Sequence, residues 1–173
     1  MRYAGIIKND FSAAPGTSVT FFTQGCPHRC EGCHNPETWD FEGGEEVTHD
    51  TILEVIEAIT ANGLHRNLCI MGGEPLCPEN QFLTNLIINS VKEKLPDTKI
   101  YLWTGYCLED LDMNNNRIKS ILEQVDCLID GPYDKTKRDV SLFMRGSSNQ
   151  RILYKGTDYW FSKKNMILYT YKW

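Results

Sequence analysis

The chemistry of this 173-residue chain concentrates between Cys26 and His34, which read C-P-H-R-C-E-G-C-H. Cys26, Cys30 and Cys33 stand in a C-x3-C-x2-C spacing, close enough for three thiolates to converge on one inorganic centre. Pro27 and Gly32 help the backbone fold back so that the sulfurs point inward. The odd number carries information. Structural zinc sites are closed by four ligands, whereas a [4Fe-4S] cube held by three cysteines keeps one iron open for another ligand. Zinc would need a fourth donor from His28, His34 or a remote cysteine. Cysteine zinc sites usually come as two C-x2-C pairs, and the second pair is absent here. Three unligated core cysteines are the plain alternative, but a polar loop carrying Gly and Pro suits them poorly. An iron-sulfur cluster leads on spacing, and zinc stays open.

Gly72-Gly73-Glu74-Pro75 is the second candidate. Alone, it reads as a tight strand-to-helix turn. Beside the cysteine triad it reads as part of a site, with two glycines that let a ligand approach the backbone and a carboxylate fixed by rigid Pro75. Cys69 and Cys127 lie inside apolar runs and read as ordinary buried thiols; Cys77 and Cys107 sit at loop edges.

The elements that must position these groups alternate between strand-like and helix-like. Ser18 to Thr23 (S-V-T-F-F-T) is β-rich and runs straight into the cysteine loop. Thr48 caps a predicted helix carrying Ile52, Val55, Ile56 and Ile59 on one face, with Gly63 as its stop. Asn67 to Met71 is a short apolar run ending at Gly72-Gly73. A second helix places Phe82, Leu83, Leu86, Ile87 and Val91 inward and ends before Pro96. Lys99 to Trp103 is the next strand, Ile118, Ile121 and Leu122 mark a short helix, and Cys127 to Ile129 is a strand closed by Asp130-Gly131-Pro132. Such alternation predicts an α/β fold with a mostly parallel sheet. Its strands end in the cysteine loop, G-G-E-P, T-G-Y and D-G-P-Y. Ligands collect at the carboxyl ends of parallel strands, so these four loops should form one site. There are too few units for a closed eight-unit barrel, and a curved, incomplete one fits.

Composition narrows the class. The apolar fraction of 41%, charged fraction of 24% and net charge of -5 suit one soluble domain and argue against a nucleic-acid face. No stretch approaches the roughly 18 apolar residues of a membrane span, and the start, M-R-Y-A-G-I-I-K-N-D, turns charged too soon for a signal peptide. Seven cysteines with three so tightly bunched do not make a secreted disulfide framework, so the expected compartment is the reducing cytoplasm.

At the cysteines and G-G-E-P the chain resembles a known family. C-x3-C-x2-C is the cluster signature of radical S-adenosylmethionine (SAM) enzymes, and G-G-E-P matches a motif of the same superfamily. The longer stretch T-Q-G-C-P-H-R-C-E-G-C-H-N-P-E-T-W, Thr23 to Trp39, is similar to the activating proteins of anaerobic ribonucleoside-triphosphate reductase, within the glycyl-radical-enzyme activases. The resemblance runs from about Tyr3 to Arg151.

It implies a partial radical SAM (β/α) barrel over residues 1–173, with 155–173 as an extension packed on it or meeting a partner. It implies a [4Fe-4S] cluster on Cys26, Cys30 and Cys33, and SAM chelating the open iron. Glu74 would accept from the methionine ammonium, Gly72 and Gly73 would lie against the ligand, and Gly32, Cys33 and His34 would lie near the adenine. Many members of the superfamily carry an aromatic residue where this chain has Gly32, and His34 offers a ring instead. Thr104, Gly105 and Asp130 are candidates for the ribose or the methionine carboxylate; Asp130 alternatively just starts a turn. The implied reaction is reductive cleavage of SAM to a 5′-deoxyadenosyl radical, which takes a glycine Cα hydrogen from the reductase's large subunit. The electron would come from a donor such as reduced flavodoxin. A rival is the activase of another glycyl-radical enzyme, such as pyruvate formate-lyase; a non-catalytic zinc module is the rival of another class. The Arg145–Arg151 loop and the aromatic tail from Tyr159 to Trp173 are candidate partner contacts, the tail otherwise being a final strand on the sheet edge.

Overall fold

A computed structural model describes residues 1–161 and 167–169. The first strand, β1 (Arg2–Asp10), pairs antiparallel with β2 (Ser18–Thr23) and with the two-residue β3 (Glu45–Glu46). From β2 the order continues through β4 (Asn67–Gly72), β5 (Ile100–Trp103) and β6 (Cys127–Asp130), each parallel to the last. The strand β7 (Arg151–Tyr154) closes the order antiparallel to β6. The result is a mixed seven-stranded sheet, β3-β1-β2-β4-β5-β6-β7, whose two edges do not pair. The short β8 (Tyr159–Phe161) and β9 (Ile167–Tyr169) form a separate antiparallel pair.

Three helices make the crossovers: α1 (His49–Thr60), α2 (Gln81–Lys94) and α3 (Asn116–Gln124). Thr48 begins α1 with a reciprocal cap, its hydroxyl accepting from the Thr51 N–H while Thr51 Oγ1 accepts from the Thr48 N–H. The helix ends at Thr60, and one tighter turn carries the chain on to Gly63 at φ +70°. Asn115 caps α3 through its side-chain oxygen.

Side chains alternate along the strands and split the core in two. Leu68, Ile70, Ile100, Leu102, Leu128 and Leu153 pack with the helices, against Val55, Ile59, Leu83, Ile87, Ile88, Val91, Ile118 and Ile121. The opposite face carries a smaller cluster of Ala13, Ala14 and Cys69 with Met71, Tyr101, Trp103 and Met144 against it. Phe82 differs from expectation: it is half exposed beneath the Arg117 guanidinium, and Ile88 is fully buried. A helix of this pitch cannot turn both Phe82 and the Leu83–Ile87 row inward. Three strands were not expected, β1, β3 and β7. The expected tail strand also differs in its partner, because β8 pairs with β9 rather than with the large sheet, although Tyr159 is buried in the main core. Residues 162–166 and 170–173 of the tail, Tyr171 and Trp173 among them, lie outside the described residues. No helix among the described residues is long and apolar enough to cross a membrane.

Candidate functional site

The carboxyl ends of β2, β4, β5 and β6 open onto one cavity of about 490 Å³. Cys26, Cys30, Cys33 and His34 line it from the loop after β2, Gly72, Gly73 and Glu74 from the end of β4, and Thr104 and Gly105 from the end of β5. Gly131 and Tyr133 follow β6. Trp39, Met71, Trp103, Arg138, Met144, Arg145 and Gln150 complete most of the wall. The four strand-end loops expected to share a site therefore do so.

The three cysteines are free thiols, all partly buried. The Asn35 N–H donates to Cys33 Sγ at 3.4 Å, and the main-chain amides of His28 and Arg29 beside Cys26, and of Tyr133 beside Cys30, favour those thiolates. Arg29 bends the loop for this with a left-handed φ of +48°. Burial pushes the Cys26 and Cys30 thiols up from their ordinary range, more than those donors pull them down. Among the described residues no three His, Cys, Asp or Glu side chains come together tightly enough to share one ion. A tetrahedral zinc at Zn–S of about 2.3 Å draws its sulfurs to within about 4 Å of one another. A cube puts each thiolate on a separate iron and tolerates a wider triangle. The donor set, three thiols with amide donors aimed at the sulfurs, fits a cluster.

Glu74 lies at the centre of a closed hydrogen-bond set. It is 1% exposed. Its Oε1 accepts from the Leu76 N–H (2.9 Å) and Thr104 Oγ1 (2.7 Å); its Oε2 accepts from the Gly105 N–H (2.7 Å) and His28 Nε2 (2.9 Å). An ionised carboxylate offers about four acceptor positions, and all are taken. Thr104 is thus next to Glu74 rather than facing a ligand through its hydroxyl. The His28 ring also stands edge-on to Tyr106 with centroids 4.6 Å apart, and a Cβ on Gly105 would come within 2.6 Å of it.

The two glycines of G-G-E-P are required by the chain's own backbone. A Cβ on Gly73 would collide with the Gly25 carbonyl, and one on Gly72 (φ +104°) would come 2.8 Å from the Thr23 oxygen. That closeness lets Gly73 N–H donate to Thr23 (2.8 Å) and Glu74 N–H to Gly25 (2.9 Å), so the turn after β4 is sewn to the root of the cysteine loop.

Asp130 and Gly32 stand elsewhere than the ligand contacts expected of them. Asp130 is fully buried, and its carboxylate accepts from Arg151, as a pair of bonds, and from the Leu108 N–H (2.8 Å). Arg151 also grips Glu109 at 2.9 and 2.6 Å, which lowers the Glu109 carboxyl. Neither Asp130 nor Gly32 is in the cavity wall among the described residues. The Lys135 stem packs 3.3 Å from where a Gly32 Cβ would be, and its ammonium meets Glu31 at 2.7 Å on the surface. Arg145 and Gln150 do line the cavity, so the loop taken as a candidate partner contact forms part of its wall. Sequence reading missed His28 as the partner of Glu74, and Trp103, Tyr133 and Arg138 as wall residues.

The family described as 4Fe-4S single cluster domain matches residues 13–153. A protein of Enterobacteria phage T4 named anaerobic ribonucleoside-triphosphate reductase-activating protein is 37% identical over 158 residues, 91% of this chain and 96% of its own length. The chain belongs to this family of activating proteins. Activating proteins with the same name from Pasteurella multocida (strain Pm70) and Escherichia coli (strain K12) are 34% and 32% identical to it. They cover 92% and 87% of this chain, and 100% and 96% of their own lengths are matched. The wall residues from Ala13 to Gln150 fall inside the matched stretch, and Ser12 lies just before it.

Proposed function

We propose that this chain activates an anaerobic ribonucleoside-triphosphate reductase as a radical SAM enzyme. The observation that carries the reading is the convergence of Cys26, Cys30 and Cys33 with the G-G-E-P and T-G turns on one cavity. Cys26, Cys30 and Cys33 would hold a [4Fe-4S] cluster with one iron left open, and SAM would lie over the ends of β4 and β5. Together these groups, when bound, supply one-electron cleavage of SAM to methionine and a 5′-deoxyadenosyl radical able to take a glycine Cα hydrogen from the reductase.

The residues bind, orient and exclude water. The amide donors of His28, Arg29 and Tyr133 favour thiolates over thiols, while burial opposes charge until a cation compensates it. Glu74 is a buried anion held in place from four sides, and so is oriented to meet a ligand ammonium at the cost of one present donor. Trp39, Met71, Trp103 and Met144 give the cavity an apolar wall that sheds water. We read the sheet as a partial barrel and residues 1–173 as one domain, with 155–173 as its extension. The open mouth beside Arg138 and Arg145 suits a peptide segment of the reductase. A reduced donor such as flavodoxin would supply the electron, in the cytoplasm.

The test is anaerobic incubation of reconstituted protein, reductant and SAM with the reductase, followed by electron paramagnetic resonance. A glycyl radical on the reductase is expected, and deuterium at its glycine Cα should appear in 5′-deoxyadenosine. A full radical signal with unlabelled 5′-deoxyadenosine would rule out direct abstraction.

A further inference from the structure

His28 belongs to neither expected ligand set, yet it touches both halves of the site. Its ring Nε2 donates to Glu74 Oε2 at 2.9 Å, and it stands in the cysteine loop two residues from Cys26 and two from Cys30. Few other ties hold the cysteine loop. Between Cys26 and His34 the chain has no regular structure, and the main-chain bonds are Cys26 N–H to Trp39 and Cys33 N–H to Cys30. Cys33 Sγ accepts from the Asn35 N–H at 3.4 Å within the loop itself, and the Lys135 to Glu31 pair lies in solvent, where such pairs contribute little. The His28 bond is different: Glu74 is 1% exposed and the His28 side chain 20%. The ring is also fixed from two more sides, by the Tyr106 edge and by the bare Gly105 backbone.

Resting on the reading above, we propose that His28 is a positioning residue that couples what binds at Glu74 to the placement of the loop carrying Cys26 and Cys30. Because all four acceptor positions of Glu74 are filled, an incoming ammonium must take or share one. Leu76 and Gly105 offer main-chain N–H groups that cannot leave without moving the turns themselves. Thr104 Oγ1 lies on the inner, fully buried oxygen. His28 is the remaining donor, on a side chain that lines the cavity and can turn without shifting a main-chain turn. Movement of its ring pulls on Pro27 and Arg29, and so on Cys26 and Cys30, which stand two residues to either side. The hydrogen bonding and solvent exposure of ligand sulfurs set the potential of an iron-sulfur cluster, so a shift of this loop reports binding at Glu74 to the metal through one side chain.

The experiment compares wild type with His28→Ala, His28→Gln and Gly105→Ala after anaerobic reconstitution. Iron and sulfide per chain, the cluster's midpoint potential and its electron paramagnetic resonance spectrum are read with and without SAM. Expected is an unchanged iron content in His28→Ala, a potential and spectrum that SAM no longer shifts as in wild type, and partial recovery in His28→Gln, whose amide still donates. Gly105→Ala keeps His28 but pushes its ring off Glu74, and should reproduce the loss even if His28→Ala fails to fold. Variants that hold iron and respond to SAM as wild type does would overturn the coupling while leaving the cluster reading intact. A wild-type protein that reconstitutes no cluster, with Cys30→Ala indistinguishable from it, would overturn both.

Discussion

At the scale of single residues, cysteines of one type divide by surroundings into two populations. Cys26, Cys30 and Cys33 face a cavity and are only partly buried, whereas Cys69 and Cys127 are enclosed by the sheet. Replacing any of the first three with alanine should abolish bound iron and SAM cleavage. Cys69→Ala or Cys127→Ala should keep both and lose roughly 1 kcal/mol of stability or more through the cavity left behind. Iron analysis beside urea melts separates these outcomes, and a cluster that survived Cys30→Ala would end the assignment. Glu74 gives a second contrast. Four donors converge on its carboxylate, so Glu74→Gln must turn an NH₂ group toward either the Leu76 and Thr104 pair or the Gly105 and His28 pair. A donor facing donors leaves buried groups unpaired, at about 1–3 kcal/mol. The metal-free Glu74→Gln protein should therefore unfold at lower urea than wild type, before SAM affinity is even tested. An unchanged midpoint would show that the carboxylate's bonds have little weight in the fold.

At the scale of elements, the site depends on one seam, where the turn after β4 lies against the end of β2. Gly73→Ala would drive a Cβ into the Gly25 carbonyl, so either the turn or the cysteine loop must shift. Overpacking of this kind costs about 1–3 kcal/mol. Gly5 in β1 has nothing within 4 Å of a built Cβ, so Gly5→Ala should be near neutral in the same denaturation assay. Equal effects of the two would mean that the seam is slack. The same elements show what could be read beforehand. The strand β2, the crossover helices and the four strand-end turns were readable because apolar period and Gly/Pro punctuation are local signals. The strand β1 was not, because its R-Y-A-G-I-I-K-N-D run is mostly part-exposed and breaks alternation with two register shifts. The strand β7 was hidden in a polar stretch and is strand because β6 offers it an edge. His28 with Glu74 and Asp130 with Arg151 are 46 and 21 residues apart, and no local pattern couples such pairs. Their types were visible; their partners were a product of the fold.

At the scale of the whole molecule, the thiols outside the cavity tie stability to pH. Burial pushes Cys69, Cys77 and Cys127 each up to about 12, from 9.0 when freely solvated. Burial likewise raises the Tyr159 phenol, whose Oη–H donates to the Val125 carbonyl at 3.3 Å. These groups stay protonated in the folded chain at pH values where the unfolded chain releases their protons. With each folded value above its unfolded value, the stabilisation is complete below about pH 9 and is lost as pH rises toward 12. The three thiols sit at different levels of the fold, on β4, before α2 and on β6, so no one local opening relieves them all. Urea melts of the reduced, metal-free protein should therefore show a midpoint that falls steadily from pH 8.5 upward, by an amount on the order of a few kcal/mol over the window. The double variant Cys69→Ala, Cys127→Ala should begin less stable at pH 8 and then fall with a shallower slope, because two of the groups that titrate only on unfolding are gone. A slope equal to that of wild type would mean that the alkaline loss arises elsewhere, and that these thiols open to solvent without unfolding the sheet around them.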